Sequence, residues 1–174
     1  MMIVTHEMNF ARSISNRVFY MDGVGIYEDG TPEQIFDAPQ RENTRRFIRK
    51  LKVLELLIES SDYDFPHAES EIDRYCGKNL IPAKLAYRIH LVYEELVHRT
   101  LLPLLDRPHI RVVIEYSEAE EAAVFSVYYN GELFDAAEKA DELSLPIIRS
   151  AAVKTEYKTD AGEYPNHLTL RITG

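Results

Sequence analysis

The stretch IPAKLAYRIHLVYEELVHRTLLPLL, from Ile81 to Leu105, constrains the fold more than any other part of the sequence. Pro82 suits a first helical turn, where a missing N–H leaves no bond unmade. Leu85, Ile89, Val92 and Leu96 follow at helical spacing, and Leu101 prolongs the stripe toward Pro103. A helix with so apolar a face must lie against a sheet or another helix. Glu94 and Glu95 sit beside that stripe. A carboxylate on a core helix is a place to look for acid–base chemistry, although most such residues are simply solvated.

The residues around this helix predict the layer it packs on. A second helix is expected near Ala68 to Cys76. His109 to Tyr116 is rich in β-branched residues and reads as a strand, with Glu118 to Glu121 as a polar turn and Ala123 to Tyr129 as the returning strand. Glu142 to Val153 reads as a short helix. Thr155 to Lys158 and His167 to Ile172 read as a closing hairpin, with Leu168, Leu170 and Ile172 facing the core. The expected fold is α+β, a two-layer sandwich with helices on one face of a mainly antiparallel sheet.

The N-terminal part differs in character. Met2 to Thr5 reads as a buried strand, and Glu7 to Ser15 as a helix with Met8 and Ala11 on one side. Val18 to Met21 and Ile26 to Glu28 form short strands around Asp22-Gly23, a strong hairpin signal. Asp29-Gly30 reads as a second turn. Thr31-Pro32-Glu33-Gln34 then offers an N-cap, a proline at the first helical position and a glutamine to close a capping box. From Thr44 to about Ser60, Phe47, Leu51, Leu54 and Ile58 recur at helical spacing beside a basic patch, so a connecting helix is expected there. The SSDYDFPH stretch ends it.

Charge divides the chain in the same place. The first fifty residues hold seven Lys/Arg against seven Asp/Glu, so the rest carries the whole net charge of −9. That acidity argues against a nucleic-acid footprint. No apolar run approaches a bilayer span, and His6 and Glu7 interrupt the first apolar stretch, so neither a membrane helix nor a signal peptide is expected. The lone cysteine, Cys76, excludes an internal disulfide, and the compartment reads as cytoplasmic.

The segment IVTHEMNFARSISNRVFYMDGVGIYEDGTPEQIFDAPQRENTRRFI resembles the C-terminal end of the ATP-binding subunit of bacterial polar amino-acid ABC importers. The likeness covers residues 1–50 and includes the THEM tetrapeptide, the RVFYMDG strand-turn, the EDGTPEQIFD turn-helix and the closing PQ…TRRF. It implies that His6 is the switch-loop histidine, which meets the γ-phosphate of ATP in an intact ATPase. An intact ATPase also needs a glycine-rich phosphate loop with its lysine, a magnesium-binding acid and a catalytic glutamate. No GxxxxGK[ST] occurs in this sequence, and Gly77-Lys78 lacks both the first glycine and the hydroxyl. The segment alone therefore cannot hydrolyse ATP, and no cofactor is expected for this chain; ATP and magnesium belong to the intact parent. His6 then reads as an ordinary loop histidine.

With residues 51–66 taken as connecting helix and linker, residues 67–174 resemble the GHKL ATPase fold of histidine kinases and anti-sigma-factor kinases. YEELVHRTLLPLL sits where that family has its N-box helix. VYYNGELFD sits at its Asp-x-Gly-x-Gly turn, and ELSLPIIRSAAVKTEYKTD…NHLTLRI at its second glycine box, following helix and last hairpin. The resemblance implies that Glu95 is the water-positioning glutamate or base. The magnesium-binding asparagine is replaced by Arg99, which offers five donors and no acceptor. The adenine-reading aspartate is Tyr129, followed by Asn130, and the two glycines of that turn are Gly131 and Leu133. The second box offers Glu142 and Ser144. These changes imply a silent relative kept for its surfaces, while Glu95, Arg99, Asn130 and Gly131 mark where metal-free nucleotide binding would occur.

The same helix invites a metal-site reading. His90, Glu94 and His98 lie four apart and share a helix face, with His67 or His109 as a third donor, but the spacing is not that of a metalloprotease helix and a solvated stripe is the simpler reading. Tyr116, Tyr128 and Tyr129 read as sheet packing, and Cys76 as a helix-end residue. Three functions follow: an interaction or regulatory module of an amino-acid ABC importer, working with a transporter membrane subunit or a regulatory protein and reaching the membrane only through transporter subunits; an active anti-sigma-type kinase or nucleotide-binding domain; or a structural module that homodimerises through the helix from Thr44 to Ser60.

Overall fold

In a computed structural model, residues 2–23 and 25–174 of the chain are described, Asn9 by its backbone alone. The apolar stripe predicted above is buried in full: Leu85, Ile89, Val92, Leu96 and Leu101 are each 0% exposed. They lie on one long helical rod. Its first part, α5, spans Ala83–Val92, a π-helix spans Tyr93–Leu101, and a last turn, α6, spans Leu102–Leu104.

The rod belongs to the second of two compact units, which divide between Leu51 and Lys52. Before it come β3 (Lys52–Ile58) and α4 (Phe65–Lys78); after it come β4 (Ile110–Ser117), β5 (Ala122–Tyr129), α7 (Ala136–Lys139), α8 (Ser144–Ala151), β6 (Ala152–Thr159) and β7 (Asn166–Thr173). The strands pair antiparallel throughout, in the order β3-β4-β5-β7-β6. Residues pointing to one side of that sheet, among them Ile110, Val112, Ile114, Phe125, Val127, Leu168, Leu170 and Ile172, form a continuous core with the helices. This is the expected α+β layering, since a strand's period of two buries alternate residues against a single helical layer. Each large side chain removed from water there contributes about 1.5–3 kcal/mol.

The helix expected over Thr44 to Ser60 is corrected. The structure has α3 at Glu42–Ile48 and then β3, so that segment is half helix and half edge strand. Lys50 takes a left-handed conformation (φ 51°), its N–H bonds back to Phe47, and the Leu51 N–H bonds to the Arg46 carbonyl, which ends the helix. Beyond it, Leu54 and Ile58 fit either period while Leu56 between them fits only a strand, and pairing with β4 decides for the strand. The Tyr75 hydroxyl of α4 donates to the Lys52 carbonyl at 2.9 Å and fastens that edge.

The first unit contains α1 (Met8–Ile14), β1 (Val18–Asp22), β2 (Gly25–Gly30), α2 (Pro32–Phe36) and α3. β1 and β2 pair as the predicted hairpin. The capping box is present: the Gln34 N–H donates to Thr31 Oγ1 at 3.3 Å, and the Thr31 N–H to Gln34 Oε1 at 2.9 Å. A Cβ on Gly30 would stand 2.9 Å from Gln34 Oε1, so a side chain there would press on the capping glutamine. Asp29 and Gly30 close β2 rather than forming a turn of their own. The buried strand expected at Met2 to Thr5 is also corrected. Those residues are exposed and irregular, with Met2 82% and Val4 88% exposed, because no described strand pairs with them. Among the described residues no helix is long and apolar enough to cross a membrane.

Candidate functional site

The predicted acidic residues sit where the rod changes register. In an α-helix of about 3.6 residues per turn, positions five apart point in different directions; in an i→i+5 helix they return to one face. Over Tyr93–Leu101 the wider register brings Arg99 over Glu94: its Nε and Nη2 donate to Glu94 Oε1 at 3.1 and 2.8 Å. Thr100 Oγ1 donates to the Glu95 carbonyl at 2.7 Å, also five residues back. The Glu94 carboxylate, with Glu95 behind it, raises the Arg99 pKa further above its ordinary value.

Glu95 itself is 7% exposed, and both its oxygens are engaged. Oε2 accepts from the buried Ser144 Oγ at 2.6 Å, and Oε1 lies 3.6 Å from Arg99 Nε. Ser144 opens α8, where Asp141 Oδ1 accepts the N–H groups of Leu143 at 2.9 Å and Ser144 at 2.7 Å. Those two donors, Ser144 first, hold the Asp141 carboxyl below the usual carboxylate range. Glu95 is thus held on one oxygen by a buried hydroxyl and faces a guanidinium with the other, in a site only 7% exposed.

A second group of residues gathers where β5 ends. Tyr129 is fully buried; its hydroxyl donates to the Phe134 carbonyl and accepts the Ala136 N–H at 3.1 Å. Burial pushes its phenol pKa well up. The phenol therefore bonds to its own succeeding loop, and its ring packs against Phe134 at 5.2 Å. Asn130 ties this loop to the segment after the rod: Oδ1 accepts the His109 N–H at 2.9 Å, and Nδ2 donates to the Arg107 carbonyl at 2.8 Å. Gly131 holds φ 96°, and a Cβ there would meet Leu105 Cδ2 at 3.0 Å, so the turn needs glycine for both backbone and space.

Asn166 organises that loop and was missed in the sequence. It is 0% exposed; Nδ2 donates to the Glu132 carbonyl at 3.0 Å and reaches those of Tyr129 and Asn130, while Oδ1 accepts the Phe134 N–H at 3.1 Å and the Tyr157 hydroxyl at 2.6 Å. A signal existed, because Asn166 shares the core-facing alternation of Leu168, Leu170 and Ile172, where an amide is out of place unless bonded. The loop and the end of the rod border an open cleft of about 740 Å³.

Glu95 and Arg99 lie on the rod beside Ser144; Asn130 and Gly131 line the cleft with the 104–107 segment. His6 is an exposed loop residue whose imidazole comes within 3.9 Å of Glu7. The three helix residues that share a face each have another neighbour: His90 bonds Glu69 and lies 3.0 Å from Asp73, His98 stacks on Phe65 at 4.1 Å, and Glu94 pairs with Arg99. The His67 backbone N–H donates to Asp64 Oδ1 at the cap of α4, and His109 Nε2 bonds Glu163 at 2.9 Å. Among the described residues no group of three His, Cys, Asp or Glu side chains could hold a metal.

No protein-family model matches the chain. Individual proteins do. A probable amino-acid ABC transporter ATP-binding protein of Sinorhizobium fredii is 55% identical over 49 residues, covering 28% of this chain and 19% of its own. The L-cystine import ATP-binding protein of Bacillus subtilis is 47% identical over 51 residues, 29% of this chain and 21% of its own. The glutamate/aspartate import ATP-binding protein of Escherichia coli is 45% identical over 51 residues, again 29% and 21%. One segment of the chain is similar to amino-acid ABC transporter ATP-binding proteins. The chain spans about a fifth of the length of the curated relatives it matches.

Proposed function

We propose that this chain is the C-terminal part of an amino-acid ABC importer's ATP-binding protein, in which residues 1–50 belong to the ATPase and the following α+β unit is a catalytically silent, GHKL-like regulatory or interaction domain. Its setting is cytoplasmic, peripheral to the membrane through transporter subunits, and ATP with magnesium acts in the ATPase of the parent protein. The identity over about fifty residues supports the first half of this reading. The second half is supported by the order of helices and strands and by one observation above all. Tyr129, which the resemblance sets at the adenine-reading position, is buried and bonded to its own loop.

Three further features support silence. Arg99 cannot ligate a cation and is spent on Glu94. Glu95 is tied to Ser144 rather than open to a reacting water. In the proposed nucleotide turn, Leu133 stands where the resemblance calls for the second glycine, so a side chain occupies one backbone approach. Titration calorimetry of the whole chain with ATP and magnesium tests the proposal: no binding is expected, and micromolar binding would overturn it in favour of an active kinase or nucleotide sensor. The His6 assignment is tested in the parent ATPase, where His6→Ala is expected to abolish hydrolysis while leaving the fold intact.

A further inference from the structure

We infer that the cleft between the end of the rod and the 130–134 loop binds a small zwitterion with an apolar side chain, the chemistry of a free α-amino acid. The inference rests on reading this unit as a regulatory domain, and it names the ligand class that domain would bind. Four charged side chains line the cleft, Arg107 and Lys139 of one sign and Asp106 and Glu132 of the other. All four are exposed, and none has a hydrogen-bonded or ionic partner among the described residues. Leu133 and Phe134 supply apolar wall, and Leu133 is 64% exposed although it carries no polar group to justify it.

Two cations and two anions beside an apolar wall match a ligand with a carboxylate, an ammonium and a hydrocarbon or aromatic side chain. A guanidinium or an ammonium on a carboxylate forms the stronger, charge-assisted kind of hydrogen bond. A nucleoside triphosphate fits less well, because its phosphates would face Asp106 and Glu132 and no buried carboxylate is free to read a purine. The wall is also held in advance. Asn166 bonds three carbonyls and one N–H of the loop, and Asn130 ties that loop to Arg107, so ligand binding need not order it.

Titration of the full chain with L-phenylalanine tests this, with N-acetyl-L-phenylalanine and L-phenylalaninamide as probes that each lack one charge. Saturable binding of phenylalanine is expected, weakened about tenfold or more by either blocked end. Arg107→Ala combined with Lys139→Ala should weaken phenylalanine about tenfold and leave the amide unchanged, since the amide has no carboxylate to lose. All four residues are exposed, so an unchanged melting temperature will show that the variants fold. Absence of saturable binding up to about 10 mM, or equal affinity for the blocked and free ligands, would overturn the site. Failure here is distinct from failure of the silent-domain reading: that one falls only if ATP–magnesium binds, whatever phenylalanine does.

Discussion

Ser144 Oγ donates to Glu95 Oε2 at 2.6 Å, a buried bond between the first residue of α8 and the π-helical stretch of the rod. It joins two elements that are distant in sequence, and it engages the one buried carboxylate on the core helix. Removing the hydroxyl leaves that oxygen buried without a donor, which costs about 1–3 kcal/mol. Ser144→Ala should therefore lower stability by that amount in urea unfolding. Glu95→Gln should cost less in the Ser144→Ala background than in the parent chain, giving a coupling energy of about 1 kcal/mol in a double-mutant cycle. Additive effects would mean that the bond contributes nothing.

Asn166→Ala strips several partners at once. The Glu132 carbonyl, the Phe134 N–H and the Tyr157 hydroxyl all lose their bond to it. A loss of about 3 kcal/mol is expected, with faster amide exchange confined to residues 130–134. Uniform destabilisation without local exchange would contradict its role as the organiser of that loop.

Lys50 offers a gain. A non-glycine residue at φ 51° carries a conformational cost that glycine avoids. Lys50→Gly should raise stability by about 0.5–1 kcal/mol in thermal unfolding, and a loss would show that the left-handed cap is not the conformation adopted.

His167 sets a pH dependence. Desolvation first, then nearby Lys158, lowers its pKa in the fold, and its ring stacks on Tyr128 at 4.1 Å. A histidine kept neutral by folding contributes stability that is fully present above its unfolded value, about 6.5, and is lost as pH falls toward the folded one. Glu156 acts in the opposite direction but weakly. Unfolding measured between about pH 7.5 and 5 should show stability falling with acid, and His167→Gln should flatten that slope.

Much of the sandwich was legible in the sequence because the rod and β7 bury strict periodic sets: Leu85, Ile89, Val92, Leu96 and Leu101 on one, Leu168, Leu170 and Ile172 on the other. Two things were hidden. Leu54 and Ile58 satisfy both periods, so pairing with β4 was needed to make residues 52–58 a strand. The π register left no mark in an apolar pattern that an ordinary helix also fits, yet it determines that Arg99 covers Glu94 and that Glu95 turns toward Ser144. The Thr31 cap, by contrast, is read from four adjacent residues and forms as written. Local chemistry was visible; the side-chain bonds between distant elements were not.

The claim on which the function rests is that the α+β unit keeps its fold while giving up nucleotide. Calorimetric titration of the intact chain with ATP and magnesium measures it most directly. Heats indistinguishable from dilution are expected, for the unmutated chain and for Tyr129→Asp alike, because on the proposed reading Arg99, which has no acceptor, would still stand at the metal-ligand position. Saturable binding at micromolar concentration by the unmutated chain would contradict the account.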